Sequence, residues 1–147
     1  MLDKVKIMCI IKSVTIPNFK KGGAKMNYSK QREAILEVLR GTKVHPTASQ
    51  VHKMVQEKIP NISLGTVYRN LSLLVENGDV LCISVGDGND HFDGDNSYHL
   101  HLRCRKCGSI EDAAVERESV FSLAREKGFT PSGAICVIHG ICKNCNQ

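Results

Sequence analysis

Four of the seven cysteines fall into two Cys-x2-Cys pairs, Cys104 with Cys107 and Cys142 with Cys145. Two such pairs supply four thiolates, which are the ligand set of a closed structural Zn²⁺ site. A redox-active dithiol would not need a second pair, and disulfides fit poorly with a chain that shows no export signal. We therefore predict that these four cysteines bind Zn²⁺.

A second group of candidate ligands combines imidazoles with carboxylates. His99 and His101 lie two residues apart on a predicted strand, so both rings face the same side and can chelate one ion. Asp112 ends the neighbouring predicted strand, and Asp93 precedes His99 by six residues. His45 comes just before a predicted helix. Mixed nitrogen and oxygen ligands suit Fe²⁺ or Mn²⁺ better than four thiolates do, although Zn²⁺ or Cu²⁺ would bind more tightly.

Spacing alone leaves this second ligand set open. Each histidine could instead be a hydrogen-bonded surface residue, because single histidines at such spacings are common. The chain also contains His52, His91 and His139, which spacing does not exclude as ligands. His91 is the best substitute, since it lies two residues before Asp93.

The elements that must position these residues begin with three predicted helices. Each predicted helix combines a polar N-cap with apolar residues at helical spacing. The three segments are residues 29–40, a segment that starts at Thr47, and residues 63–77. A β-hairpin with its turn at residues 86–88 follows. Three short helices followed by a hairpin predict a winged helix-turn-helix in residues 26–95.

The remaining residues, 96–147, are predicted to form two strands, an amphipathic helix and a third strand. A unit of this length lies below the size that folds comfortably by itself. We therefore expect it to need a metal ion, a partner chain or both.

Charge is concentrated at the N-terminus. Residues 1–25 hold six Lys and one Asp, whereas residues 26–147 hold 14 basic and 14 acidic residues. We interpret residues 1–25 as a basic N-terminal extension that is disordered or not native, with Met26 as the natural start. The alternative is a basic arm that contacts DNA phosphates. No apolar run approaches the roughly 18 residues of a membrane span.

Three motifs in this order resemble the ferric uptake regulator (Fur) family. They are residues 44–48 (VHPTA), 65–71 (GTVYRNL) and 99–108 (HLHLRCRKCG), and the resemblance extends from about residue 29 to residue 145. It implies a cytoplasmic, dimeric, metal-activated repressor of transcription. The implied α+β fold is an N-terminal winged helix-turn-helix followed by a small α/β dimerisation and metal-sensing domain.

The resemblance also implies roles for both ligand sets. Zn²⁺ would be structural, and Fe²⁺ or Mn²⁺ would be regulatory. The regulatory ligands implied are His45, Asp93, His99, His101 and Asp112. Aspartate at both carboxylate positions is typical of the peroxide-sensing branch, the PerR repressors, in which Fe-catalysed oxidation of a His ligand by hydrogen peroxide releases DNA. His45 or His99 would be the oxidised ligand. The alternative is an iron-responsive or zinc-responsive repressor without peroxide sensing.

The third helix carries the candidate DNA contacts on the side opposite its apolar stripe. Arg69 could make a bidentate contact with guanine. The remaining candidates for contacts with bases or phosphates are Thr66, Tyr68, Asn70 and Ser72. A solvated helix face is the alternative for each of them. In the resembling family, iron sensors commonly carry Arg at position 69 and peroxide sensors can carry Asn, so the operator preference stays open.

One metal ion ligated from both sides of the linker would fix the angle between the two domains, and in a dimer the distance between the two recognition helices. Metal binding and DNA binding would then strengthen each other. A metalloenzyme is a further hypothesis, but the carboxylates are accounted for as ligands and leave no clear general base or substrate pocket. We therefore predict no enzymatic activity.

Overall fold

The computed structural model describes residues 29–147, and in it the chain forms two compact units that divide after Asn96. Each unit combines helices with a sheet, which confirms the predicted α+β fold class. The predicted extension over residues 1–25 and the proposed start at Met26 lie outside the described residues. None of the described helices is long and apolar enough to cross a membrane.

The first unit contains three helices followed by a two-stranded antiparallel sheet. Its elements are α1 (Lys30–Arg40), α2 (Ala48–Gln56), α3 (Leu64–Glu76), β1 (Leu81–Ser84) and β2 (Asp90–Asp93). The hairpin pairs Leu81 with Asp93 and Ser84 with Asp90. This is the winged helix-turn-helix that the sequence predicted.

The helices of the first unit begin at the predicted caps. The side chains of Ser29 and Ser63 each accept a hydrogen bond from the backbone N–H three residues further along. At Thr47 the capping box is complete, because the Gln50 side chain also accepts from the Thr47 backbone N–H at 2.8 Å. Such caps satisfy N–H groups that have no partner inside the helix, and each contributes about 1 kcal/mol.

The core of the first unit lies between the three helices and the hairpin. The helices contribute the apolar side chains that repeat at helical spacing, and the hairpin contributes Val80 and Phe92. The helix residues of this core that are almost fully buried include Ile35, Leu39, Val51, Val55, Val67, Leu71 and Leu74. Burial of each such side chain contributes on the order of 1.5–3 kcal/mol. More apolar side chains are buried in this unit than in the second one, so its apolar core is the larger of the two.

The second unit is a three-stranded sheet with one helix. Its elements are β3 (His99–Cys104), β4 (Ile110–Ala114), α4 (Arg117–Glu126), β5 (Cys136–Gly140) and a 3₁₀ turn (Lys143–Cys145). The strand order is β4-β3-β5, with β3 antiparallel to β4 and parallel to β5. Parallel neighbours need a crossover connection, which contains α4.

Little apolar surface is buried in the second unit. Among its described residues, the buried apolar side chains are those of Cys104, Ile110 and Phe121. The Phe121 ring packs edge-on against Tyr98 and under the Arg117 guanidinium. The need of this unit for a metal ion or a partner chain stays a prediction, with which so small a core agrees.

Gly94, immediately after β2, lies against the C-terminus of α1. A Cβ atom built on Gly94 would lie 2.6 Å from the carbonyl carbon of Leu39 and 2.7 Å from the backbone nitrogen of Arg40. No side chain fits at that separation. The close approach fixes where the chain leaves β2, directly beside the candidate ligand Asp93.

We expect Gly94→Ala to lower the free energy of unfolding of the first unit by about 1–3 kcal/mol, because the backbone must shift to relieve the overlap. Urea unfolding monitored by circular dichroism measures this change. The matched control is Gly65→Ala in α3, where the nearest atom is the Ser63 hydroxyl at 4.0 Å. Equal unfolding midpoints for the two variants would contradict the assigned role of Gly94.

Candidate metal centres

The two Cys-x2-Cys pairs come together at one end of the second unit. Cys104 ends β3 and Cys107 follows in a tight turn, whereas Cys142 immediately precedes the 3₁₀ turn and Cys145 ends it. The four sulfur atoms all lie within 4.8 Å of one another. The Sγ atoms of Cys107 and Cys142 are 3.7 Å apart, close to the roughly 3.8 Å expected between sulfurs that ligate one tetrahedral Zn²⁺.

Backbone N–H groups prepare this cluster for a cation. Hydrogen bonds from the N–H groups of Cys107 and Cys142 to its sulfur lower the pKa of the Cys104 thiol to about 5. A hydrogen bond with the Ser109 hydroxyl lowers the pKa of Cys107. The neighbouring Cys142 thiol instead raises the pKa of Cys145 to about 12. Part of the cluster is thus thiolate near neutral pH, and a divalent cation would displace the remaining protons.

The second unit also holds three of the mixed ligands, His99, His101 and Asp112, which we call the sheet ligands. Strand register pairs His101 with Asp112, so the three side chains lie on one face of the sheet. The Nε2 atoms of His99 and His101 are 3.0 Å apart, and His99 Nε2 lies 3.4 Å from Asp112 Oδ1. The two imidazoles and the carboxylate therefore converge.

The backbone fixes the tautomer of His99. Its Nδ1 lies 3.0 Å from the Ser97 carbonyl oxygen, which can only accept a hydrogen bond, so Nδ1 carries the proton. The Nε2 lone pair then faces His101 and Asp112. An imidazole held by its second nitrogen in this way is typical of metal-ligating histidines.

The first unit holds the other two mixed ligands, His45 and Asp93, which we call the hairpin ligands. His45 Nε2 lies 3.4 Å from Asp93 Oδ2, and both side chains are buried. Asp93 ends β2, and its second carboxylate oxygen accepts a hydrogen bond from the backbone of Asp95 at 2.8 Å. This contact orients the carboxylate.

His91, the substitute ligand considered from the sequence, is engaged elsewhere. Its Nδ1 lies 2.8 Å from the His45 carbonyl oxygen and its Nε2 lies 2.9 Å from Asp87 Oδ2. Each nitrogen is therefore in contact with an oxygen atom of the first unit, and the ring is held by these two contacts. Of the other histidines, His52 contacts the Ile62 carbonyl and His139 is exposed on β5.

The predicted DNA contacts on α3 differ in exposure. Arg69 is exposed, and Thr66 is half-buried with its hydroxyl 2.9 Å from that of Ser63. Asn70 is buried. Its amide nitrogen donates to the Thr66 carbonyl at 2.9 Å, and its amide oxygen accepts from Arg32 Nε at 3.3 Å. These bonds hold Asn70 between α3 and α1, where it orients the helix.

Tyr68 and Ser72 are both half-buried on α3. Tyr68 packs against the core, and its carbonyl oxygen accepts a hydrogen bond from the Ser72 hydroxyl at 2.9 Å. Arg69 is therefore the most accessible of the five predicted contacts. Arg32 carries no sequence signal for this role, because nothing in the spacing of α1 distinguishes it from a solvated arginine.

A winged helix-turn-helix followed by a small sheet unit with clustered thiols and imidazoles defines a class of metal-dependent regulators. The chain belongs to the Ferric uptake regulator family, whose model matches residues 23–134. This confirms the resemblance stated from the three motifs.

Individual relatives give the same result. The chain is 39% identical to the "Peroxide operon regulator" of Bacillus subtilis over 119 residues, which cover 80% of this chain and 82% of that protein. It is 34% identical to the "Ferric uptake regulation protein" of Campylobacter jejuni over 144 residues, covering 91% and 90%. The solved structure of the Campylobacter jejuni peroxide stress regulator superposes with a TM-score of 0.70 at 30% identity, covering 78% of this chain and 88% of that one.

If the four cysteines bind Zn²⁺ as predicted, we expect Cys107→Ser to abolish zinc binding and to unfold the second unit, because that unit has little apolar core and metal-binding energy would contribute to its folding. Elemental analysis of the purified protein and its far-ultraviolet circular dichroism measure the two effects. Cys136→Ser on β5, outside the four-sulfur cluster, is the matched control. Retained zinc and an unchanged spectrum in Cys107→Ser would show that the cluster is not a structural zinc site.

Proposed function

We propose that this protein is a cytoplasmic, metal-dependent transcriptional repressor that binds operator DNA as a homodimer. One Fe²⁺ or Mn²⁺ ion would be held jointly by the hairpin ligands (His45, Asp93) and the sheet ligands (His99, His101, Asp112). Zn²⁺ would be held by Cys104, Cys107, Cys142 and Cys145. The observation that carries the proposal is the division of the mixed ligands between the winged helix and the sheet unit.

Coordination chemistry supports joint binding. The hairpin ligands supply two side chains and the sheet ligands three, so each set alone leaves Fe²⁺ or Mn²⁺ with several open positions. His99 follows Asp93 by six residues, and a chain of that length spans at most about 20 Å. A cation shared by both sets satisfies more of its coordination and draws the two units into one arrangement.

Exposed apolar surface on the second unit supports a homodimer. Its large apolar side chains that remain exposed are Leu102, Leu123, Phe129, Ile135, Ile138 and Ile141. Three of them, Leu102, Ile138 and Ile141, line a groove of about 510 Å³. An apolar surface of this kind on so small a unit is typical of a protein interface, and a second copy of the chain is the occupant we propose.

The winged helix supplies the proposed DNA contacts. The exposed Arg69 on α3 would read guanine in the major groove, with Thr66, Tyr68 and Ser72 near bases or phosphates. Asn70 would act by keeping α3 in place through Arg32. In a dimer the two copies of α3 must reach major grooves about 34–36 Å apart, or a multiple of that distance. A metal ion that sets the angle between the units would set this distance.

Metal binding and DNA binding are then linked. Each ligand stabilises the same arrangement of the two units, so each raises the affinity of the other by the same factor. Coupling of about 1–3 kcal/mol corresponds to a roughly 5- to 150-fold change in affinity, enough to switch a promoter between occupied and free.

We expect Mn²⁺ to raise the affinity of the zinc-loaded protein for DNA from its own promoter region by about 5- to 150-fold. His101→Ala should remove this increase, because His101 is one of the sheet ligands. Arg69→Ala should instead weaken DNA binding both with and without Mn²⁺. Gel shifts over a series of Mn²⁺ concentrations measure these affinities.

The exposed His139 provides the matched control, since it lies on β5 of the same sheet and outside the ligand set. His139→Ala should behave as the unsubstituted protein does. If Mn²⁺ and Fe²⁺ both left DNA binding unchanged, the proposed function would be wrong.

We further propose that hydrogen peroxide is the signal. Asp93 and Asp112 occupy the carboxylate positions at which aspartate is typical of the peroxide-sensing branch, and relatives named as peroxide regulators match most of the chain. Bound Fe²⁺ would supply the chemistry that activates peroxide. One oxygen atom would pass to the ring of His45 or His99 and the other would leave as water, so the imidazole is oxidised. The oxidised ring would bind metal less well, and DNA would be released.

Because this reaction alters the protein's own ligand, it involves no turnover, in agreement with a regulator and not an enzyme. An iron-responsive or zinc-responsive repressor without peroxide sensing is the second candidate. The similarity to the ferric uptake regulation protein over nearly all of the chain and the arginine at position 69 favour it.

We expect peroxide treatment of the Fe²⁺-loaded protein to add one oxygen atom to a peptide containing His45 or His99, and to abolish operator binding. The Mn²⁺-loaded protein should show neither effect. Peptide mass spectrometry and gel shifts on the same samples measure both. Oxidation confined to the cysteines, which are also oxidisable, would contradict the histidine mechanism, and retained DNA binding would favour the second candidate.

A further inference from the structure

The loop that carries His45 is attached to the wing. The backbone N–H of Phe92 in β2 donates to the Pro46 carbonyl at 3.0 Å, and Thr47 and His91 form an isolated antiparallel bridge. Pro46 is almost fully buried. The chain therefore passes from the loop into the cap of α2 along the edge of β2, as a short additional strand would.

His45 itself has an unusual backbone. Its φ angle is 48°, and it is the one described residue other than glycine with a positive φ. The left-handed region is unfavourable for a residue with a side chain, and a following proline disfavours helical backbone further. Such a conformation is strained and persists only where the surroundings hold it.

The His91 side chain is what holds the His45 carbonyl. Its ring is buried, with Nδ1 hydrogen-bonded to the His45 oxygen at 2.8 Å and Nε2 hydrogen-bonded to Asp87 Oδ2 at 2.9 Å. Asp87 lies in the hairpin turn, where its other carboxylate oxygen accepts from the Asn89 backbone at 3.0 Å. A chain of hydrogen bonds thus runs from the wing turn through His91 to the backbone of a metal ligand.

From this geometry we infer that His91 is a positioning residue for the regulatory metal, which it does not itself ligate. By holding the His45 carbonyl, it keeps the strained backbone that directs the His45 imidazole towards Asp93, and it ties that ligand to the wing. This inference rests on the proposed function, because it assumes that His45 binds the regulatory cation.

The first test compares His91→Phe with His52→Phe. His52 also contacts a backbone carbonyl, that of Ile62 at 2.9 Å, but on α2 and away from His45. Phenylalanine keeps a planar buried ring and removes both ring nitrogens. In zinc-loaded protein we expect His91→Phe to weaken Mn²⁺ binding by about 10- to 100-fold, as loss of a group that orients a ligand does. His52→Phe should bind Mn²⁺ normally.

Amide hydrogen exchange without Mn²⁺ separates positioning from general destabilisation. In His91→Phe the Phe92 amide, which bonds to Pro46, should exchange faster, whereas amides of the α3 core and the zinc content should be unchanged. Normal Mn²⁺ affinity in His91→Phe would overturn the inference. Loss of Mn²⁺ affinity together with faster exchange throughout the first unit would also overturn it, since the role would then be structural.

The Asp87 variants provide a second route if His91→Phe does not fold. Asp87→Asn retains an oxygen that accepts from His91, whereas Asp87→Ala does not, so Mn²⁺ affinity should fall more in Asp87→Ala. Equal affinities would overturn the inference. The His45→Ala variant tests the proposed function separately from the role of His91. Unchanged Mn²⁺ affinity in His45→Ala would show that His45 does not bind the regulatory cation, and would therefore refute the proposed function as well as the role of His91.

Discussion

The short connection between Asp93 and His99 is the constraint on which the proposed function depends. Five residues lie between Asp93, at the end of the wing, and His99, the first candidate ligand of the sheet unit. A cation that accepts ligands from both ends of so short a connection restricts the two units to a small set of orientations. Regulation then requires no long-range pathway within either unit, because the ion itself would be the link between the part that reads DNA and the part that dimerises.

The two candidate metal centres solve different physical problems. The four-cysteine cluster lies in a unit with little buried apolar surface, and it joins the end of β3 to the C-terminal turn. Backbone N–H donors favour the thiolate form of its cysteines. Because the unit buries little apolar surface, the ion proposed at this cluster would contribute to folding. The mixed ligands suit a more weakly held cation whose occupancy can vary. A protein that must stay folded while it senses a metal needs this separation between permanent and exchangeable sites.

Much of the fold could be predicted because local signals agreed with one another. The caps at Ser29, Thr47 and Ser63, the apolar spacing of the three helices and the glycine-containing hairpin turn all depend on contacts within a few residues. The family followed from motif order, which the family model confirms. The cysteine cluster was predictable for the same reason, since each Cys-x2-Cys turn is local and only the meeting of the two turns is not.

The types of candidate ligand, their order along the chain and the elements that bear them can all be read from the residues and their spacing. The contacts of several other polar residues and of one glycine depend on how the chain packs. Asn70 faces Arg32 on another helix, His91 meets the loop of His45, and Gly94 touches the end of α1. Each of these contacts joins residues far apart in the chain. The same local sequence pattern is compatible with a side chain that faces solvent and with one that contacts a distant backbone carbonyl, so only the packed chain shows which of the two environments a residue has.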